Sequence, residues 1–216
     1  MPSSPQTHPQ SDDELLAAQQ RLQDDATAAV ADLGLDTALP ALGDPVRTGS
    51  SALGLMVRRD VDVTVACLKL DDATKAAVAG LGASLGLHER VRTALYRDDT
   101  GRWNTDPDLP DGVYLRVEYR APDDQDWTFD LWFVDEPERM PDLAHLETMP
   151  PRLTAGARVA ILRIKQEWDL RPEYGQSVHG IDVYDAVLDQ GVTTPEEFER
   201  YWREQREAGS KDSAAP

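Results

Sequence analysis

The sequence has a single cysteine, Cys67, so no internal disulfide can form. Cys67 lies in an apolar stretch and reads as a small core residue in a reducing compartment, the cytoplasm, and not as a nucleophile. No stretch reaches the ~18 apolar residues of a membrane helix, and none is expected. The first ten residues lack the basic start and apolar middle of a signal peptide and read as a disordered lead-in. No internal repeat is present. Basic residues are scarce: 22 Lys and Arg stand against 40 Asp and Glu, for a net charge of −18. No basic stripe of the kind that grips long nucleic acid is visible. Such a field repels polyanions and attracts cations.

What is present is an ordered series of elements. Ser11 followed by Glu14 reads as a capping box that opens a helix with Leu15, Leu22, Ala26, Ala29, Val30 and Leu33 at helical spacing. Gly34 is expected to stop it. Strands are expected over 45–48, 60–68, 91–96, 113–120 and 127–134, the last two as an antiparallel hairpin. Short helices are expected over 51–57 and 71–85, with loop over 98–111. Prolines 137, 141, 150 and 151 read as a linker. Beyond it come helical stripes: Ala157, Ile161, Ile164 and Trp168, then Ile181, Tyr184, Val187 and Leu188, then Phe198, Tyr201 and Trp202. The expected division is a lead-in over 1–10, an α/β domain over 11–136, an all-α subdomain over 137–207 and a frayed tail over 208–216.

The chemistry concentrates in one constellation. Gly49-Ser50 is followed after nine residues by Asp60-Val61-Asp62 on a strand. Carboxylates at i and i+2 of a strand share a face, roughly 7 Å apart, within reach of shared divalent ions. Oxygen-only ligands suit magnesium or manganese rather than zinc. Asp130 sits between Phe129 and Leu131, which should face the core, so Asp130 should face the same side as the other two acids. Glycine in the Gly49-Ser50 turn permits close approach of a ligand to the backbone, and Ser50 and Ser51 add hydroxyls at a helix start, a setting for phosphate. Glu118 alternates onto the polar face of the hairpin, either as a second base for an acceptor hydroxyl or as a solvated strand acid. Trp132 reads as core packing before a lining of the site beside Asp130, and His179 as a capping or surface residue.

Gly49, Ser50, Asp60, Asp62 and Asp130 together resemble the signature of the DNA polymerase β-like nucleotidyltransferase superfamily. The match covers about 46–134, with Thr48 where an apolar residue is more usual. The helices that follow are similar to those of the small antibiotic-modifying members, the aminoglycoside and lincosamide type. The resemblance implies a mixed, mostly antiparallel five-stranded nucleotidyltransferase sheet with flanking helices, followed by a C-terminal helical subdomain. It implies Mg2+ or Mn2+ on Asp60, Asp62 and Asp130, an NTP such as ATP as donor, and a basic residue from the helical part, Lys165, on the triphosphate. Arg47, Arg58 and Arg59 flank the constellation. The expected reaction is transfer of NMP to a hydroxyl of a small molecule, an antibiotic or metabolite, with nucleic acid disfavoured by the net charge. Two other readings stand beside it: a toxin-like nucleotidyltransferase acting on tRNA or a protein, and a catalytically silent nucleotide-binding module.

Overall fold

The structure, a computed structural model, describes residues 10–212, with side chains through 207. Most of the expected lead-in and the end of the expected tail lie outside the described residues. Contacts divide the chain into two units. One is Leu22–Leu153; the other is Met1–Arg21 with Thr154–Pro216, of which 10–21 and 154–212 are described. The first division falls inside helix α1 (Asp12–Asp32). Its capping box forms as expected: Glu14 N–H donates to Ser11 Oγ at 3.3 Å, and Ser11 N–H donates to the Glu14 carboxylate at 2.8 Å. Gly34, at φ 65°, follows α1 in the left-handed conformation. A short helix α2 (Leu35–Ala38) stands where loop was expected, fixed by burial of Leu35 and Leu39.

The larger unit is built on five strands: β1 (Asp44–Thr48), β2 (Asp60–Ala66), β3 (Val91–Asp99), β4 (Gly112–Arg120) and β5 (Asp126–Val134). Their order is β1-β2-β5-β4-β3. Only β2 and β5 run parallel; the other three pairings are antiparallel. The mixed, mostly antiparallel α/β sheet expected from the sequence is the one observed. Period-2 alternation gives the sheet two unlike faces. Val61, Val63 and Val65 of β2, Leu115 and Val117 of β4, and Phe129, Leu131 and Phe133 of β5 share one face and are buried. They cluster with Ala26, Ala29 and Leu33 of α1 and with Val78 and Leu85 of α4 (Asp72–Gly86). Between β1 and β2 the chain makes helix α3 (Gly49–Leu53), earlier and shorter than the 51–57 expected.

Two segments differ from the sequence reading. β3 runs on to Asp99, so the irregular stretch after it is shorter than expected and contains a 3-10 turn over Gly101–Trp103. The proline-rich stretch holds a helix, α5 (Pro141–Thr148). Proline punctuates a helix interior, but at the first helical position its fixed φ suits a helix start. Among the described residues, no helix is long and apolar enough to cross a membrane.

The helical unit packs α6 (Ala155–Trp168), α7 (Gly180–Gln190) and α8 (Pro195–Asp212). Thr154 and Thr194 cap α6 and α8, each Oγ accepting a backbone N–H at 3.2 Å. Gly191, at φ 69°, ends α7. His179 precedes α7, and its N–H donates to Asp182 at 2.6 Å, a capping role. Trp168, 1% exposed, meets Phe198 and Trp202 edge-on at 5.0 and 5.3 Å. α8 passes the expected helix end at 207 and reaches Asp212.

The sheet core generates a stability test. Phe129 is fully buried on the central strand β5 and edge-on to Tyr119 at 6.1 Å. Phe129→Ala is expected to destabilise the chain by about 3–5 kcal/mol in chemical denaturation. A loss under about 1 kcal/mol would mean that this face is not the packed core.

Candidate active site

The second face of the sheet is polar, and pairing across strands orders its side chains in rows. One row runs Thr48, Asp62, Asp130, Arg116, Leu95 from β1 to β3. The row on one side of it runs Asp60, Thr128, Glu118, Thr93; the row on the other runs Val46, Thr64, Trp132, Tyr114, Arg97. Asp62 and Asp130 are direct neighbours because β2 and β5 pair in parallel at that register. Asp60 lies two residues before Asp62 on the same face. Oxygen atoms from Asp60, Asp62 and Asp130 all lie within 4.8 Å of one another, each residue half-buried.

Three carboxylates so close repel strongly. At an effective dielectric near 20, each pair separated by 4.8 Å costs about 3 kcal/mol. Two groups act against this at Asp130. Tyr114 Oη donates to its Oδ1 at 2.5 Å, and the Arg116 guanidinium lies 3.7 Å from the same atom. Both act on Oδ1 and so set the orientation of the carboxylate. Burial, then the bond to Asp130, pushes the Tyr114 phenol up to about 12. Its proton therefore stays in place at every pH below the ordinary tyrosine range, and the bond fails only as pH rises through the raised value. The cluster fits a hard divalent cation: its donors are all oxygen, and they already converge.

The turn before α3 is shaped around this cluster. Gly49 takes φ 60°, where residues with side chains are strained. A β-carbon there would collide with the Asp62 carboxylate oxygen and lie 3.1 Å from Asp62 Cγ. Glycine is thus required twice, by its own conformation and by the carboxylate against it. Ser50 is half-buried beside it. Ser51 is buried, its hydroxyl donating to Thr48 O at 3.1 Å and its carbonyl accepting from Gln23 at 2.8 Å, which braces the turn.

Other sequence candidates fall elsewhere. Glu118 shares the polar face but pairs with Thr128, and its carboxylate accepts from Thr93 Oγ1 at 2.9 Å; it is not part of the carboxylate cluster. Lys165 belongs to the helical unit, where it is 4% exposed and donates to Tyr184 Oη at 3.1 Å. Arg47 pairs with Val63 on the apolar side and reaches Thr27 Oγ1 at 3.4 Å; burial lowers its pKa. Arg58 and Arg59 are exposed in the turn before β2. Trp132, read as core before site lining, stands on the polar face and is half-buried. Tyr114 and Arg116 were missed. Their signal was the alternation of β4, which puts them on the same face as Glu118.

No protein-family model and no curated protein matches the sequence. Among solved structures, a cytoplasmic RNA terminal U-transferase is similar with a TM-score of 0.44 and 14% identity, over 73% of this chain and 47% of that one. Cid1, in complex with its short product ApU, is similar with a TM-score of 0.41 and 14% identity, over 74% of this chain and 48% of that one. This chain spans about half the length of each. The partner expectation is corrected here. Net charge had set nucleic acid aside in favour of a small-molecule acceptor, yet a neighbour of this fold is an RNA enzyme. The physical reason is that −18 belongs to the whole chain and does not set the field at any one site.

Tyr114→Phe keeps the ring and removes the bond that orients Asp130. Manganese affinity, read by calorimetry on the full chain, is expected to fall about tenfold or more, as for other groups that orient a metal ligand. Unchanged affinity would show that Tyr114 does not hold the carboxylate for a metal.

Proposed function

We propose that this chain is a divalent-metal-dependent nucleotidyltransferase that moves a nucleoside monophosphate from an NTP to a hydroxyl of an RNA acceptor. The observation that carries the chemistry is the convergence of Asp60, Asp62 and Asp130 within 4.8 Å beside the Gly49 turn. The RNA acceptor is drawn from the tRNA-modifying alternative in the sequence reading and accords with what the first neighbour is named for. An intact carboxylate set speaks against a silent binding module.

Asp60 and Asp62 would hold magnesium or manganese on the donor side, next to the turn where the phosphates lie. Asp130 would hold it from the β5 side. A bound cation supplies charge neutralisation at the phosphates and at the entering and leaving oxygens. The protein's own groups do the rest. The Gly49-Ser50 turn lets the triphosphate approach the backbone and offers the Ser50 hydroxyl. Asp130, fixed through Oδ1 by Tyr114 and Arg116, orients the acceptor hydroxyl and takes its proton. The acceptor oxygen then bonds to the α-phosphorus, the bond from phosphorus to the bridging oxygen breaks, and pyrophosphate leaves. A buried lone thiol, Cys67, fits the reducing cytoplasm as the compartment.

Labelled NTPs, manganese or magnesium and single-stranded oligoribonucleotides test this reading. The wild type is expected to lengthen the RNA and release pyrophosphate. Asp62→Asn is expected to lower that rate by about a thousandfold, or about 4 kcal/mol. Its melting temperature should be equal or higher without metal, because one repulsive charge is gone. An unaltered rate in a folded Asp62→Asn variant would remove the carboxylates from the chemistry.

A further inference from the structure

The polar face does not end at the carboxylates. Two residues beyond Asp130 on β5, Trp132 floors a cavity of about 490 Å³, within the usual size range of ligand sites. Arg97, Trp103, Asp106, Met140 and Asp142 contribute to its walls. All of these residues belong to the Leu22–Leu153 unit. The cavity adjoins the carboxylates through Tyr114. The hydroxyl of that residue bonds Asp130, and its ring lies 4.8 Å from the Trp132 ring. Arg97, held by Asp99 at 2.8 and 3.0 Å, places its guanidinium 4.6 Å from the Tyr114 ring centroid and 5.6 Å from that of Trp132. A continuous aromatic and guanidinium surface thus leads from the reacting carboxylate into the cavity.

The cavity wall is built, not loose. Asn104 donates to Leu109 O at 3.2 Å and to the Asp111 carboxylate at 3.1 Å. Gly101 N–H donates to the same carboxylate at 2.9 Å. Arg139 reaches across to Pro107 O and Leu109 O at 2.9 and 3.0 Å. These bonds hold Trp103 at the cavity although it is 60% exposed and contributes little to the core. Gly112 leaves space for the other indole: a β-carbon there would come within 3.2 Å of Trp132 Cε3.

Stacking surfaces of indole and guanidinium suit a planar unpaired base. The lining also decides which part of a nucleotide enters. Asp106 and Asp142 repel phosphate but accept hydrogen bonds from an exocyclic amine, whereas the one ring N–H of uracil is flanked by two carbonyl oxygens that carboxylates repel. The strand order places the cavity on the β5–β4–β3 side of Asp130, away from the Gly49 turn next to β2. It therefore lies on the acceptor's side and not on the triphosphate's.

We propose that this cavity receives the terminal nucleobase of the RNA acceptor, stacked between Trp132 and Trp103, with preference for bases that carry an exocyclic amine. The inference rests on the nucleotidyltransferase reading above and adds what selects the acceptor. Its test has two readouts on the full chain. In the first, oligoribonucleotides that differ only in a 3′-terminal A, C or U are extended by wild type, Trp103→Ala and Trp103→Phe. The acceptor KM is expected to rise about tenfold in Trp103→Ala, the size of one lost base stack, while the KM for the NTP holds and Trp103→Phe restores most of the loss. Terminal A and C are expected to be used in preference to U. In the second, AMP, CMP and UMP are titrated without metal and followed by saturation-transfer NMR. AMP and CMP should bind wild type and Trp103→Phe and lose contact with Trp103→Ala. RNA extension with an acceptor KM indifferent to Trp103 would overturn the base site and leave the nucleotidyltransferase reading standing. No extension together with Trp103-dependent AMP binding would keep the base site and overturn the RNA-transfer reading. No Trp103-dependent binding of any of the three nucleotides would overturn the base site whatever the activity.

Discussion

Everything in the proposed site depends on the register of the parallel pair β2 and β5. That register sets Asp62 beside Asp130 and Val63 beside Leu131 at the same time. A slip of one residue would turn Asp130 toward the apolar core and bring Leu131 to the polar face. The core therefore enforces the active face. Val61, Val63, Val65, Phe129, Leu131 and Phe133 are buried in one register, and the carboxylates converge as a consequence. Function here is the reverse side of packing.

The convergence is costly to the protein alone. Three acids within 4.8 Å repel one another, and a tyrosine and an arginine hold Asp130 in place among them. Gly49 accommodates this crowding, a left-handed glycine with no side chain where a β-carbon would strike the Asp62 carboxylate. Charge crowding and a left-handed turn at one place are features a stable scaffold tolerates at a site that binds a cation. Their coincidence at one end of β2 is more informative than any of the three carboxylates taken singly.

Much of this was legible in the sequence because it rests on short-range rules. Alternation in Asp60–Val65 and Phe129–Phe133 assigned faces, and those faces brought the three acids together. The Ser11 and Glu14 pair gave a helix start that the structure shows bond for bond. What escaped needed partners distant in sequence. Ser51 looked like part of a phosphate turn, but its hydroxyl is committed to Thr48. Trp132 read as core more readily than as site lining, yet the period that puts Asp130 on the polar face puts Trp132 there too. The helix at Pro141 hid behind prolines that read as breaks. The acceptor was misjudged because net charge describes the whole chain and does not set the field at one site.

The central claim is that the carboxylates of β2 and β5 form one metal-binding centre. Crystals grown with manganese and a non-hydrolysable NTP, with anomalous scattering measured at the manganese edge, address it most directly. The account predicts an anomalous peak bound by oxygens of Asp60, Asp62 and Asp130, with the triphosphate against the Gly49 turn. Manganese bound elsewhere, or bound without Asp130, would contradict it.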